Sequence, residues 1–452
     1  MQYAIRNTQY AIRNTQYAIR NTQYAIRNTQ YAIRNMFYLL FLLLLTACSS
    51  SSPTVSFAVF GEPAEFAAYE RLVEAFGEKQ PDIEVQLRHI PSQKEYRQKL
   101  ATEFSAGVPP DVMLLNYRRF ATFAAEGALE PLESYLKQSK VIQSDDFFAI
   151  AVDAFHFEGQ LWCIPQNISS LVVYYNRDLF DAAGMPYPTN EWTWDEFLVV
   201  AHALTRDSNG DGTIDQYAVG LSPQLFRLAP FIWQNGGHIV DDPNQPTRLT
   251  LDRPSALVAF QWFVDLQVKE GVVPDAVAES AESSESRFLN GRLGMIFNSR
   301  RGVPTYRTIS GFEWDVAPLP RAKQAAGILH SDAYCLSVKA ENKEAAWTFI
   351  EFANSVEGQT IVAASGRTVP SLRSVAESDT FLDSTVPPAN SRIYVDTAPI
   401  LRRVPIMSRW AVVEETASQE IERAFYGQVS VKEAAATADL LTRQYFADAD
   451  KP

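Results

Sequence analysis

The sequence predicts an α/β protein with mostly parallel sheet, divided into more than one domain. Two observations carry this. Short β-rich runs alternate with amphipathic helical patterns along most of the chain, as strands joined by helical crossovers do. The chain is also too long for one comfortable core: it has 452 residues, 405 of them from Cys48 onward.

The chain begins with QYAIRNT, repeated four times in full over Gln2 to Thr29, with a fifth copy lacking its Thr. In each unit the apolar residues, such as Tyr3, Ala4 and Ile5, are adjacent, so the three-and-four spacing of a coiled-coil seam is missing. Identical copies suggest duplicated nucleotides read in frame. The expectation is that translation starts at Met36 and that residues 1–35 are untranslated or disordered. Phe37 to Leu45 is a nine-residue apolar run. A membrane-spanning helix needs about 20 residues, so this length suits the core of a signal peptide. Leu45-Thr46-Ala47-Cys48 closes the run and resembles the bacterial lipobox, whose Cys carries lipid after cleavage. That resemblance implies a signal peptide over 36–47, lipidation at Cys48 and a Ser-rich tether over 48–53. No Lys or Arg lies between Met36 and the run, a departure from the usual signal peptide. The alternative is a cleaved secretory signal with an incidental Cys.

The formal charge is −13, and −18 from Cys48 onward once the five repeat arginines are removed. Such a surface repels phosphate backbones, so nucleic acid is not an expected partner. No later apolar run is long enough to span a membrane, which leaves the lipid as the only membrane contact. Cys163 and Cys335 can pair outside the cell or stay buried and free.

Beyond the tether, Thr54 to Phe60 reads as a strand ending in Gly61-Glu62-Pro63. A helix follows, with Phe66, Tyr69, Leu72, Val73 and Phe76 on one face. Ile83 to Ile90 is the next strand, Gln93 to Ser105 a helix, and Asp111 to Leu115 a strand followed by Asn116-Tyr117. Ligands of parallel sheets sit beyond the strands' carboxyl ends, where Gly61, Glu62, Asn116 and Tyr117 fall. After Pro165, Ser170 to Tyr175 is a strand. Thr193-Trp194-Asp195-Glu196 is a capping-box helix start. A long helix spans about Pro254 to Glu270. Gly294 to Asn298, Trp314 to Ala317 and Asp332 to Val338 read as strands, Asn342 to Ser355 as a helix. The last helices run from about Val413 to Tyr426 and from Val431 onward.

Seven stretches in order carry a family resemblance. They are Pro110-Asp111-Val112 leading to the stretch Ala125 to Leu132; Gly159 to Pro165; Val173 to Phe180; Thr193 to Phe197; Phe288 to Met295; Asp315 to Pro320; and Asn342 to Phe352. Together they resemble the extracellular solute-binding proteins of family 1, the maltose-binding-protein-like receptors of ABC sugar importers. The resemblance covers nearly all of 54–440. It implies a two-lobed periplasmic-binding-protein-like fold (class II), with hinged lobes and a ligand cleft between them. Lobe 1 is expected over 54–165 and 327–372, lobe 2 over 166–326 and 373–452, with crossings near Pro165 and Ala325. It also implies a monomer that binds a small-molecule carbohydrate and hands it to importer permeases, without a required cofactor. Some members bind other solutes, such as glycerol phosphates.

A sugar offers an apolar face of C–H groups and a rim of hydroxyls, so its receptor needs aromatic platforms edged by polar groups. Trp233, before Gln234-Asn235-Gly236-Gly237, and Trp410, beside Arg409, are the candidate platforms. Trp162, Trp262 and Trp347 read as packing. The candidate ligand-binding residues are thus Glu62, Asn116, Tyr117, Gln166, Asn167, Trp233, Asn235, Asn298, Arg300, Asp332, Arg367 and Trp410. The pair Arg300-Arg301 is unusual on an acidic chain and suits a carboxylate-bearing ligand or a surface ion pair. Asp207, Asn209, Asp211, Thr213 and Asp215 have the spacing of a Ca²⁺ loop. Position twelve is Ala218, so the bidentate Glu is missing, and a turn knitted by Asx hydrogen bonds is the other reading. The competing functional class is an exported hydrolase. Carboxylates are plentiful, but no G-x-S-x-G or H-E-x-x-H occurs and the five His show no metal spacing.

Overall fold

The computed structural model describes residues 2–46 and 52–447, and the chain divides into two compact units after Ser52. Gln2–Thr46 is one continuous helix. Of residues 1–35, expected to be untranslated or disordered, 2–35 fall within the stretch that this helix covers. A helix satisfies its backbone groups internally, so the repeat needs no partner to adopt it. The hydroxyls of Thr8, Thr15, Thr22 and Thr29 each donate to the carbonyl four residues back. The missing seam shows instead as exposure: Tyr10 and Ile12 stand in solvent. Among the described residues no helix is long and apolar enough to cross a membrane. Cys48 lies outside the described residues.

The second unit is a two-lobed α/β fold built on two sheets. The first has strand order Glu84–Ile90, Thr54–Phe60, Val112–Asn116, Asp332–Leu336, Cys163–Pro165. Asp332–Leu336 runs antiparallel to both its neighbours, while the first three strands are parallel. Cys163 and Cys335 face each other across this antiparallel pair and form a disulfide. The second sheet has the order Trp314–Ala317, Val172–Asn176, Leu293–Asn298, Tyr217–Gly220. Two of its three pairings are antiparallel, which corrects the expectation of mostly parallel sheet there. Val172–Asn176 enters from the first lobe and lies between strands reached by long excursions, so no single βαβ crossover fixes their direction.

The helices form where apolar spacing and caps coincide. Pro63–Lys79 has Pro in its first turn and buries Ala68, Tyr69, Leu72 and Phe76. Before Trp194–Leu204, the Thr193 hydroxyl accepts from the Glu196 N–H at 3.3 Å, and the Glu196 carboxylate accepts from the Thr193 N–H at 2.7 Å. Pro63–Lys79 packs with Lys343–Ala353 and Val356–Ala363 in the first lobe. Trp410–Phe425 packs on Leu225–Gln234, Pro254–Val268 and Val431–Ala447 in the second.

The first sheet draws its strands from residues 54–165 and 327–372, the second from 166–326. The connecting segments pair with one another: Asn167 bridges to Pro370, Ser169 to His330, and Gly327–Ile328 runs parallel to Leu401–Arg402. These paired crossings form the floor between the lobes.

Candidate functional site

A cleft of about 750 Å³ opens above these crossings, within the range of roughly 300–1,000 Å³ for ligand pockets. Three groups of residues line it. From the strand ends of the first sheet and the helix and turn beside them come Phe60, Glu65, Asn116, Arg118, Arg119 and Asp332; from the crossings, Asn167, Ser169 and His330; from the second lobe, Phe226, Arg227, Arg301 and Glu414.

Topology explains the convergence at the first sheet. Asn116 ends one strand and Asp332 begins its antiparallel neighbour, so the two are directly paired. Asn116 donates to Asp332 Oδ1 at 3.0 Å, and its own Oδ1 accepts from Arg118 Nε at 3.2 Å. Arg118 Nη1 then donates to both oxygens of Glu414 at 2.9 Å, and Arg119 Nη2 reaches Oε1 at 2.9 Å. Glu414 lies on Trp410–Phe425, so this ion triad joins the end of a first-sheet strand to a helix packed in the other lobe. Burial opposes the charge on Glu414, but Arg118 and Arg119 outweigh it and hold the carboxyl below its usual range.

Glu65 is a second buried acid in the cleft wall. It pairs with Arg367 at 2.6 Å, yet burial dominates and pushes its pKa up to about 7. Its carboxylate rests against Gly61, where any Cβ would collide with Glu65 Oε2, and Gly61 has φ +135°. Glycine is therefore required at this strand end on both counts.

Phe226 organises the opposite wall. The Arg118 and Arg227 guanidiniums lie 4.4 and 5.3 Å from its ring centroid, and His330 meets the ring edge-on at 5.6 Å. Among the described residues the Arg227 guanidinium makes one hydrogen bond, from Nη1 to the Phe297 carbonyl at 2.5 Å. Burial, then the neighbouring Arg301 and Arg118 charges, lower its pKa to about 10. Burial and the same three arginines hold the His330 imidazole neutral, well below its usual pKa. Arg227 Nε, Arg119 Nη1 and His330 Nε2 find no partner among the described residues.

Of the residues expected to bind ligand, Asn116, Asn167, Asp332 and Arg367 line the cleft. The other eight do not. Trp233 is buried, its carbonyl accepting from Gln324. Trp410 opens its helix fully buried, and its indole N–H donates to Glu414 at 3.2 Å, so it supports a cleft residue rather than a ligand. Asn235 donates to the Ser255 carbonyl and Asn298 to the Tyr306 hydroxyl. Gln166 donates to the hydroxyls of Tyr69 and Tyr334, and Tyr117 is enclosed against Val404. Glu62 stands at the N-cap position of its helix without a side-chain capping bond, and its carboxylate accepts from the Thr305 hydroxyl at 3.3 Å. Arg300 is buried over the rings of Phe381 and Tyr394, so the cleft-facing member of the arginine pair is Arg301. Sequence reasoning missed Arg118, Arg119, Phe226, Arg227 and Glu414. The one available signal was Arg118-Arg119 immediately after the strand end at Asn116.

In the loop proposed for Ca²⁺, Asp207 accepts from the N–H groups of Gly210, Asp211 and Gly212. Asn209 and Asp211 accept from amides two residues on, the latter from Thr213, and Asp215 takes the N–H and hydroxyl of Ser208. Among the described residues no three acidic, His or Cys side chains are grouped to hold a metal.

A protein of Brucella abortus (strain 2308), named as a binding protein, is 23% identical over 419 residues, 89% of this chain and 96% of its own. The maltotriose-binding protein of Pyrococcus abyssi is 21% identical over 297 residues, 64% of this chain and 60% of its own. In fold, the chain matches an ABC substrate-binding protein of Listeria monocytogenes in complex with cycloalternan. The TM-score is 0.80 at 24% identity, over 88% of this chain and 99% of that one. The model of the bacterial extracellular solute-binding protein family matches residues 61–360, and the chain belongs to that family.

Proposed function

We propose that the protein is an extracytoplasmic receptor that captures a carbohydrate between its lobes and delivers it to the permease of an ABC importer. The cleft carries this reading. Hydrogen-bonding side chains from both lobes converge above paired crossing segments. Ligand touched from both sides favours the closed state of such a hinge, because only that state makes both sets of contacts. The relatives named for maltotriose and cycloalternan support a saccharide. The family, whose members are binding proteins, supports binding without chemistry. Lipid on Cys48 would hold the receptor near its importer and raise its local concentration.

Calorimetry with a saccharide panel, with product analysis of the same mixtures, tests the reading. Saturable binding with unchanged ligand is expected. Failure to bind any saccharide, or formation of product, overturns it. Mass spectrometry of the mature N-terminus tests the anchor separately, and an unmodified Cys48 defeats that part.

A further inference from the structure

The cleft wall is cationic although the chain is acidic. Seven arginine and lysine side chains line it against four carboxylates, on a chain of formal charge −13. Two of those carboxylates are already engaged, Glu65 by Arg367 and Glu414 by Arg118 and Arg119. Arg227 and Arg301 have no acidic partner among the ion pairs of the described residues. They crowd the same place as His330, whose Nε2 is unpartnered there, as is Arg227 Nε.

Free aromatic surface is scarce in the same cleft. None of the eight tryptophans lines it. Phe226 is already covered by two guanidiniums, and Phe60 packs on Tyr96. A neutral sugar finds little to stack on here, whereas an anion finds several unpaired donors. Like charges gathered without a counter-ion are unfavourable, and an anionic ligand relieves that repulsion. Guanidiniums also offer planar forks that fit carboxylate, phosphate and sulfate oxygens.

We infer that the ligand is an acidic saccharide, whose carboxylate, phosphate or sulfate sits against Arg227, Arg301 and His330 while Asn116, Asn167 and Asp332 take its hydroxyls. This rests on the carbohydrate reading above and narrows it.

The test is calorimetry on the chain from Cys48 onward with matched pairs. Glucose is set against glucuronate, glucose 6-phosphate and glucose 6-sulfate, and maltotriose against trigalacturonate, with glycerol 3-phosphate and inorganic phosphate as non-saccharide anions. At least one acidic saccharide should bind tenfold or more tighter than its neutral counterpart and weaken as NaCl rises from 50 to 500 mM. Arg227→Gln and the exposed Arg301→Gln should each weaken it tenfold or more, with melting temperatures recorded alongside. A neutral saccharide that binds as tightly as its acidic counterpart overturns the inference and leaves the carbohydrate reading standing. So does an acidic-saccharide affinity unchanged in Arg301→Gln. Binding of glycerol 3-phosphate or phosphate with no saccharide keeps the anion seat but overturns both the saccharide and the carbohydrate reading. No binding by any member overturns both proposals.

Discussion

Glu414 is the side chain whose loss the structure makes most consequential. It accepts from Arg118, Arg119 and the Trp410 indole while almost fully buried. Glu414→Gln keeps the shape but removes the counter-charge, and turns an NH₂ group toward guanidiniums that can only donate. Breaking one side of a buried ion pair costs about 3–5 kcal/mol, because the remaining charge stays desolvated. With roughly 400 residues unfolding at about 2.1 cal/mol/K each, the unfolding entropy is about 0.8 kcal/mol/K. The melting temperature should therefore fall by about 4–6 °C. Differential scanning calorimetry at pH 7 measures this. The double variant Glu414→Gln with Arg118→Gln should lose less than the sum of the singles, since removing Arg118 removes one orphaned charge. A melting temperature within 1 °C of the parent, or strictly additive losses, would refute the claim that this triad ties the lobes together.

Three other outcomes are expected. The Cys163–Cys335 disulfide closes a loop of 172 residues, worth about 5 kcal/mol on a chain-entropy argument. Cys163→Ala with Cys335→Ala should thus melt about 6 °C lower, and equal melting with and without the bridge would contradict this. Glu65 titrates near 7 in the folded chain against an ordinary 4.5. The folded state therefore binds its proton more tightly, and this contribution is full below pH 4.5 and lost as pH rises through about 7. It amounts to something on the order of 3 kcal/mol. Urea unfolding at pH 4.5 and pH 7.5 should show a smaller pH-dependent decline in Glu65→Gln than in the parent, and identical declines would rule Glu65 out as the source. In the 207–215 loop the acidic oxygens are held by the loop's own amides. Millimolar Ca²⁺ added to chelator-treated protein should leave the melting temperature unchanged, whereas a rise of several degrees would mean that the loop turns its oxygens onto the ion.

By itself the sequence determined what is local. Strand and helix positions followed from periodicity, and the Thr193 capping box and the helix from Pro254 rest on side chains within a turn of the groups they serve. Ordered motifs placed the chain in its family and fold. At the cleft, Asn116 was legible because it falls at a strand's carboxyl end, and Asp332 as a polar side chain suited to a hydroxyl rim. The tertiary structure decided which side chains face solvent and which face protein. Trp233, Trp410 and Arg300 carry the chemistry of a sugar site, yet each is spent on packing or on holding a neighbour. Sheet direction in the second lobe, the pairing of Cys163 with Cys335, and the meeting of Arg118 with Glu414 across 296 positions are likewise set by how the chain crosses between lobes. Distances of that kind have no periodicity to read. They arise because burial is shared among all elements at once, and one residue's exposure depends on partners far along the chain.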